Sequence, residues 1–328
     1  MRIVKLNALD QSPIFNGQTA VNSIHRSIEI AKQVEEMGFH RYWVAEHHNQ
    51  QAFSSACPEL MVAKIGAETS KIRVGTAGIL VGHYSPLKVA ETARMLSTLC
   101  DGRFDLGIGR SPGAVHGAIQ SLGSHEFSPA IINAKQDSVY AYLRDEKTVH
   151  ALPQGVIHPE CWVLGAGLGS AMFAAERGLS FAYAAFANHS FAKQSIDVYR
   201  ENFKPSTILE QPVVNLAVAA YCADSEDKAK RMSQSTIAWT MLADKAGHNV
   251  PFPTMDESEK LLAVSSHAEN EAQMKDTLIV GNQQQVQDKL IQLIDDLQLD
   301  ELTLLTVTES SEDLLRNYQL IAESLRNN

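Results

Sequence analysis

Apolar residues recur along this chain in two alternating rhythms. Short runs crowded with apolar and β-branched residues predict strands, and longer stretches with apolar residues three and four apart predict helices. Strand-like runs occupy 3–9, 41–45, 72–80, 103–108, 161–164, 181–185, 213–222 and 302–307. Helical spacing predicts helices over 20–37, 58–69, 86–99, 129–143, 170–177, 190–203, 283–297 and 312–325, with a further one starting at Ser225. The punctuation agrees: Gly38 and Gly178 close helices, Ser85 and Pro86 read as N-cap and first helical residue, and Asp101-Gly102 reads as a turn. Eight strands separated by helices predict an α/β chain folded as a (β/α)8 TIM barrel, one domain over 1–328; a doubly wound sheet alternates in the same way. Two stretches break the rhythm. Residues 109–127, rich in Gly, Ser, Pro and His, predict a loop over a site, and about 247–277, with Pro251 and Pro253, predict a lid-like excursion between the seventh and eighth strands.

Composition narrows the partners. Lys plus Arg number 28 against 38 Asp plus Glu, a formal net charge of −10, which argues against a nucleic-acid or anionic-membrane surface. Arg2 and Lys5 interrupt what would be a signal peptide's apolar core, and no apolar run approaches a membrane span. Cys57, Cys100, Cys161 and Cys222 are scattered without a CxxC, as expected of free thiols in the cytoplasm, and predict no metal site.

In a parallel barrel, ligands sit at the C-terminal ends of the strands. The residues there include Asp10 and Gln11, Glu46-His47-His48, Thr76-Ala77-Gly78, Gly109-Arg110, the run Gly165-Ala166-Gly167-Leu168-Gly169-Ser170, and Phe186 and Asn188. Strand alternation sends Glu46 and His48 one way and His47 the other, which suits acid–base and hydrogen-bonding chemistry better than a shared metal. Glycines leading from a strand into a helix, with Ser170 beside them and Arg110 from the neighbouring strand, form a candidate phosphate seat. No acidic residue near 184–188 stands ready to hold a ribose, so the seat suits a single phosphate, of the FMN type, rather than a dinucleotide. Gly78 and Gly109 would admit a flat ring close to the backbone. Taken singly, these are also ordinary turn glycines and a surface arginine.

Together, Tyr42-Trp43-Val44-Ala45-Glu46-His47-His48, Val74-Gly75-Thr76-Ala77-Gly78, Gly102-Arg103-Phe104-Asp105-Leu106-Gly107-Ile108-Gly109-Arg110 and Val280-Gly281-Asn282 resemble the luciferase-like flavin-dependent monooxygenases, nearly from end to end. The resemblance implies a (β/α)8 barrel and an FMN that arrives reduced from a separate NAD(P)H:flavin reductase. It also implies O2 activation as a flavin C4a-(hydro)peroxide and oxygenation of a small organic substrate. It makes His47 the catalytic histidine, transferring a proton and titrating near neutrality. Glu46 would lie near the flavin phosphate and orient Arg110, the phosphate arginine. Gly167 and Ser170 would be the phosphate-binding pair, with Gly165, Ala166 and Gly169 in the same turn. Ala77-Gly78 would be a non-prolyl cis peptide under the isoalloxazine ring, and Gly109 would open space beside it. A homodimer is implied through helices 58–69 and 86–99, whose small residues include Ala63, Gly66, Ala67, Ala90 and Ala93. Gly109 and Ala166 replace a cysteine and a glutamate of light-emitting members, which argues against bioluminescence. A flavin-binding protein without turnover and a deazaflavin-dependent hydride-transfer oxidoreductase are the alternatives. The substrate pocket is expected from the loop after the fourth strand, Phe186 and the 247–277 excursion. An aldehyde, an aromatic or a sulfonate is compatible with it.

Overall fold

A computed structural model describes residues 4–113, 116–123, 126–246, 249–264 and 277–326. Among the described residues nine parallel strands form one sheet: β1 Lys5–Asp10, β2 Arg41–Val44, β3 Arg73–Leu80, β4 Phe104–Gly109, β5 Glu160–Gly165, β6 Ser180–Ala184, β7 Val214–Ala223, β8 Leu278–Asn282 and β9 Glu301–Leu305. Strands β1 to β7 follow one another around a cylinder, and β9 closes it by pairing with both β7 and β1. The expected (β/α)8 barrel is therefore present, built from the eight strands read in the sequence. The ninth strand, β8, was not among them. It pairs only with the far half of β7, in the register Ala219↔Leu278 to Ala223↔Asn282, where that long strand has run past the barrel wall.

The helices among the described residues are α1 Ala20–Glu36, α2 Pro58–Glu68, α3 Pro86–Leu99, α4 His116–Ser121, α5 Pro129–Leu143, α6 Leu168–Glu176, α7 Ala192–Glu201, α8 Glu226–Ala246, α9 Met255–Val264, α10 Gln283–Leu297 and α11 Ser311–Arg326. Their ends are set locally. Thr19 accepts from the Asn22 N–H at 3.2 Å, and Ser128 does the same for Ile131 at 3.3 Å. Ser85 occupies the N-cap position of α3, but its hydroxyl makes no capping bond. The 109–127 stretch is not loop throughout, because α4 lies within it; its residues 114, 115, 124 and 125 fall outside the described set. The 247–277 excursion carries α9, and its residues 247, 248 and 265–276 also fall outside.

Outward-facing strand residues such as Ala8, Tyr42, Val74 and Phe104 pack under the helices, while Leu9, Trp43, Trp162 and Leu305 fill the barrel interior. The small residues of α2 and α3 belong mostly to this inner packing. Gly66 lies so close to Cys100 that a Cβ there would sit 2.4 Å from its Sγ, and Ala90 and Ala93 are fully buried. Gly66, Ala90 and Ala93 thus serve the barrel, while Ala67 is exposed on the outer face of α2.

The N-terminal end of the barrel is closed by charge. Arg41, only 2% exposed, donates to Asp105 at 2.6 Å, to Glu160 at 2.7 Å, and through Nε and an Nη to the two Glu301 oxygens at 2.8 and 3.0 Å. Arg73 Nε donates to Asp105 at 2.8 Å, Trp43 Nε1 to Asp105 at 2.9 Å, and Asn7 to Glu301 at 2.9 Å. Burial opposes charging Arg41, but Asp105 and Glu301 outweigh it and raise its pKa.

Candidate active site

A cavity of about 600 Å³ opens at the C-terminal end of the barrel. Of the strand-end residues singled out in the sequence, Gln11, Glu46, His47, Ala77, Gly78, Gly109, Arg110, Gly165, Ala166, Gly167, Leu168, Gly169, Ser170 and Phe186 line it, whereas Asp10, His48, Thr76 and Asn188 do not belong to the lining. Six consecutive strands, β1 to β6, deliver the lining residues or their neighbours to one mouth, because parallel strands all end on the same face. The Ala77–Gly78 peptide is cis, as expected.

One end of the cavity is built for an anion. Helix α6 starts there with Gly167 as an N-cap that has no side-chain capping bond, so its first-turn N–H groups meet the cavity without a competing hydroxyl. Gly165 is glycine for packing: a Cβ would lie 2.0 Å from Ser170 Oγ. Tyr183 donates to the Asn188 carbonyl at 2.7 Å, and the Asn188 amide donates to the Ala166 carbonyl at 3.2 Å, tying the turn down from β6. Arg110 donates to Asn133 Oδ1 at 2.9 Å and to Ser170 Oγ at 3.4 Å. No carboxylate among the described residues pairs with it. Burial and the neighbouring Arg177 both pull its pKa down, the mark of a cation that is not compensated. Arg177 itself is held by Asp137 through two hydrogen bonds, and both guanidiniums lie against the Phe173 ring.

The wall between the two ends is bare backbone. A Cβ on Gly78 would meet the Gly107 carbonyl oxygen and the Gly109 nitrogen at 2.8 Å, and one on Gly109 would meet Leu80 Cδ2 at 3.2 Å.

The other end holds the residues after β2. Glu46 and His48 do turn the same way: His48 Nε2 is 2.7 Å from Glu46 Oε1. The same oxygen accepts from Tyr84 at 2.7 Å, and Oε2 accepts the Leu80 N–H at 3.0 Å. Glu46 therefore does not orient Arg110. Its oxygens are used in fixing the end of β3, and the positioning of Arg110 falls to Asn133 and Ser170. His47 points the other way and stacks on Phe53, ring centroids 4.1 Å apart. Phe53 in turn meets Trp239 and Phe252 edge to face. The His47 Nδ1 is buried without a hydrogen-bond partner among the described residues. Burial, with a smaller push from His48, drives the imidazole pKa down to about 4. His47 is thus neutral at neutral pH, which corrects the expectation of a group titrating there.

Asn133 and Tyr84 were not foreseen. Asn133 sits mid-helix on α5, where nothing local marks it. Tyr84 follows a 3-10 turn, Val81–His83, whose return toward Glu46 is a tertiary matter.

A family model described as luciferase-like monooxygenase matches residues 6–300. A luciferase-like monooxygenase of Escherichia coli (strain K12) is 34% identical over 234 residues, covering 70% of this chain and 70% of the relative. The N-acetyl-S-alkylcysteine monooxygenase of Bacillus subtilis (strain 168) is 28% identical over 98% of each chain. The crystal structure of apo-MsnO8 superposes with a TM-score of 0.93 at 32% identity, covering 99% of both chains.

Proposed function

The chain belongs to the luciferase-like monooxygenase family, and on that premise we propose that it is a two-component monooxygenase. In this reading it binds reduced FMN in the barrel mouth and uses O2 to oxygenate a small organic substrate. The observation that carries the reading is the meeting, in one cavity, of Arg110, a guanidinium with no carboxylate partner among the described residues, with the uncapped N-terminus of α6. A phosphate monoester supplies the charge that both lack. Gly78 and Gly109 line the cavity without side chains, which leaves room for a flat ring close to the backbone.

When bound, reduced FMN supplies the electrons that activate O2, one atom of which passes to the substrate while the other leaves as water. The chain's own residues do the rest. Arg110, Ser170 and the α6 turn hold the phosphate, with Asn133 fixing the guanidinium. Glu46, held by Tyr84, His48 and the Leu80 N–H, braces the end of β3 beside the cis peptide. His47, neutral and lining the cavity, would hydrogen-bond to the substrate or hold and move a proton at an imidazole nitrogen. The aromatic backing of Phe53, Trp239 and Phe252 excludes water.

FMN is favoured over a deazaflavin by the charge at the seat. A deazaflavin with carboxylates beyond its phosphate asks for further cations, and Arg177 is already engaged by Asp137. Delivery of the reduced cofactor by a separate NAD(P)H:flavin reductase is part of the same reading and follows from the family to which the chain belongs. A homodimer is favoured by exposed apolar side chains on α2 and α3: Leu60, Met95 and Leu99 are 68%, 48% and 57% exposed.

The test is anaerobic titration with FMNH2 followed by oxygenated buffer and a reductase, with light scattering for assembly. The expected result is one flavin per chain, release of peroxide that falls when an oxidisable substrate is added, and a dimer mass. Failure to bind FMNH2, or peroxide release that no substrate lowers and His47→Ala does not alter, rejects the enzyme. A monomer mass rejects the dimer.

A further inference from the structure

We infer that the substrate oxygenated at this site is an uncharged, largely apolar molecule, neither a carboxylate nor a sulfonate; the inference rests on the cofactor reading above. Among the described residues, the ionisable side chains lining the cavity are Glu46, His47 and Arg110. Each is accounted for. Arg110 belongs to the phosphate end. Glu46 turns both oxygens to Tyr84, His48 and the Leu80 N–H, at 2.7, 2.7 and 3.0 Å. His47 stacks on Phe53 and is buried in its neutral form.

The rest of the lining carries no charged side chain among the described residues: it includes Leu9, Ala45, Ala184, Phe186 and Ala187, with the Gln11 amide as an uncharged polar group. Behind that surface stand Phe53, Trp239 and Phe252, whose rings pack on one another at centroid separations of 4.8–5.6 Å. A carboxylate or sulfonate entering here leaves water and meets no cation among the described lining residues other than Arg110 at the phosphate end, and burying a charge without a partner is strongly unfavourable. An uncharged molecule loses nothing of the kind. It gains the apolar surface, and one polar atom can engage Gln11 or His47. The cavity, about 600 Å³, is in the size range of a single drug-sized ligand. With a flavin seated, only a small molecule or a slender chain fits beside it. Of the three classes left open by the sequence, the aldehyde and the neutral aromatic fit this end and the sulfonate does not.

The experiment is calorimetric titration of the protein loaded with oxidised FMN, whose occupancy is measured first. The probes are octanal, octanoate and octane-1-sulfonate, which share a chain length and differ in charge. Octanal should bind, and both anions should bind at least about 100-fold more weakly, as expected for a buried charge left unpaired. Gln11→Arg adds a cation to that end and should strengthen octanoate by about tenfold or more while FMN occupancy holds. Anions binding within about tenfold of octanal, no binding by any of the three, or a Gln11→Arg chain that still excludes octanoate would each overturn the inference. Absence of FMN binding is a separate result, which brings down the cofactor reading and this inference with it.

Discussion

Removing the Arg110 guanidinium tests the phosphate seat directly. The side chain is half-buried, donates to Asn133 at 2.9 Å and Ser170 at 3.4 Å, and pairs with no carboxylate among the described residues. A guanidinium and a phosphate charge about 4 Å apart attract by about 4 kcal/mol at an effective dielectric constant of about 20. Desolvation offsets much of that, leaving about 1.5–3 kcal/mol for a hydrogen bond to a charged group. Arg110→Ala should therefore weaken FMN binding roughly 10- to 150-fold. Riboflavin carries the same ring without the phosphate, so its affinity should change less than about threefold. Asn133→Asp offers a sharper version. It puts a carboxylate where the amide oxygen now accepts from Arg110, so an internal anion competes with the phosphate, while Asn133→Ala removes only a neutral acceptor. Quenching of flavin fluorescence, at two salt concentrations, reads all of these, and the salt dependence should flatten in Arg110→Ala. Equal losses for FMN and riboflavin, or no loss for FMN, would refute the reasoning.

Three further outcomes follow from the geometry. His47 and His40 are both held neutral, their pKa values pushed down to about 4 chiefly by burial; unfolded histidine titrates near 6.5, so the unfolded chain takes up protons first, and the stability they contribute is full above about pH 6.5 and is lost as pH falls from there through 4. Urea midpoints at pH 7 and pH 5 check this, and an NMR titration of His47 with a midpoint near 6.5 would contradict it. Arg41→Met takes the shared cation from Asp105, Glu160 and Glu301, leaving Arg73 to the first two and Lys5 and Asn7 to the third, and should destabilise the fold by about 1.5–3 kcal/mol in chemical denaturation; a loss below about 0.5 kcal/mol would mean that the network is not held as described. Gly165→Ala drives a methyl to within 2.3 Å of Ser170 Cβ and should cost about 1–3 kcal/mol of stability together with FMN affinity, with Ser170→Gly in the same chain restoring the stability in thermal melts.

The alternation of the sequence made the eight barrel strands legible, since a parallel barrel repeats one local pattern and closes by rule. β8 escaped because Leu278–Asn282 is short, ends in Gly281-Asn282, and is a strand only where the overhang of β7 offers it an edge. Helix α9 did carry a local signal: Thr254 Oγ1 accepts from the Glu257 N–H at 3.2 Å, and Glu257 accepts from the Thr254 N–H at 2.9 Å, a capping box readable as Thr-x-x-Glu. The site residues were legible because strand ends gather on one face. What each does was less so. The ties of Glu46 to Tyr84 and Leu80, and of Arg110 to Asn133, join elements more than twenty residues apart. The inward charges at Arg41, Asp105 and Glu301 run against the expectation of an apolar barrel interior, and only their mutual contact accounts for them.

That charged base also bears on traffic. Arg41 and its three carboxylates, with Trp43 and Trp162 packed beside them, fill the base of the barrel, so among the described residues the cavity is entered from the rim at the strand ends. Whatever lodges deeper must arrive first and depart last. Where one visitor lies beneath another, shape rather than tightness of holding sets which of them leaves last.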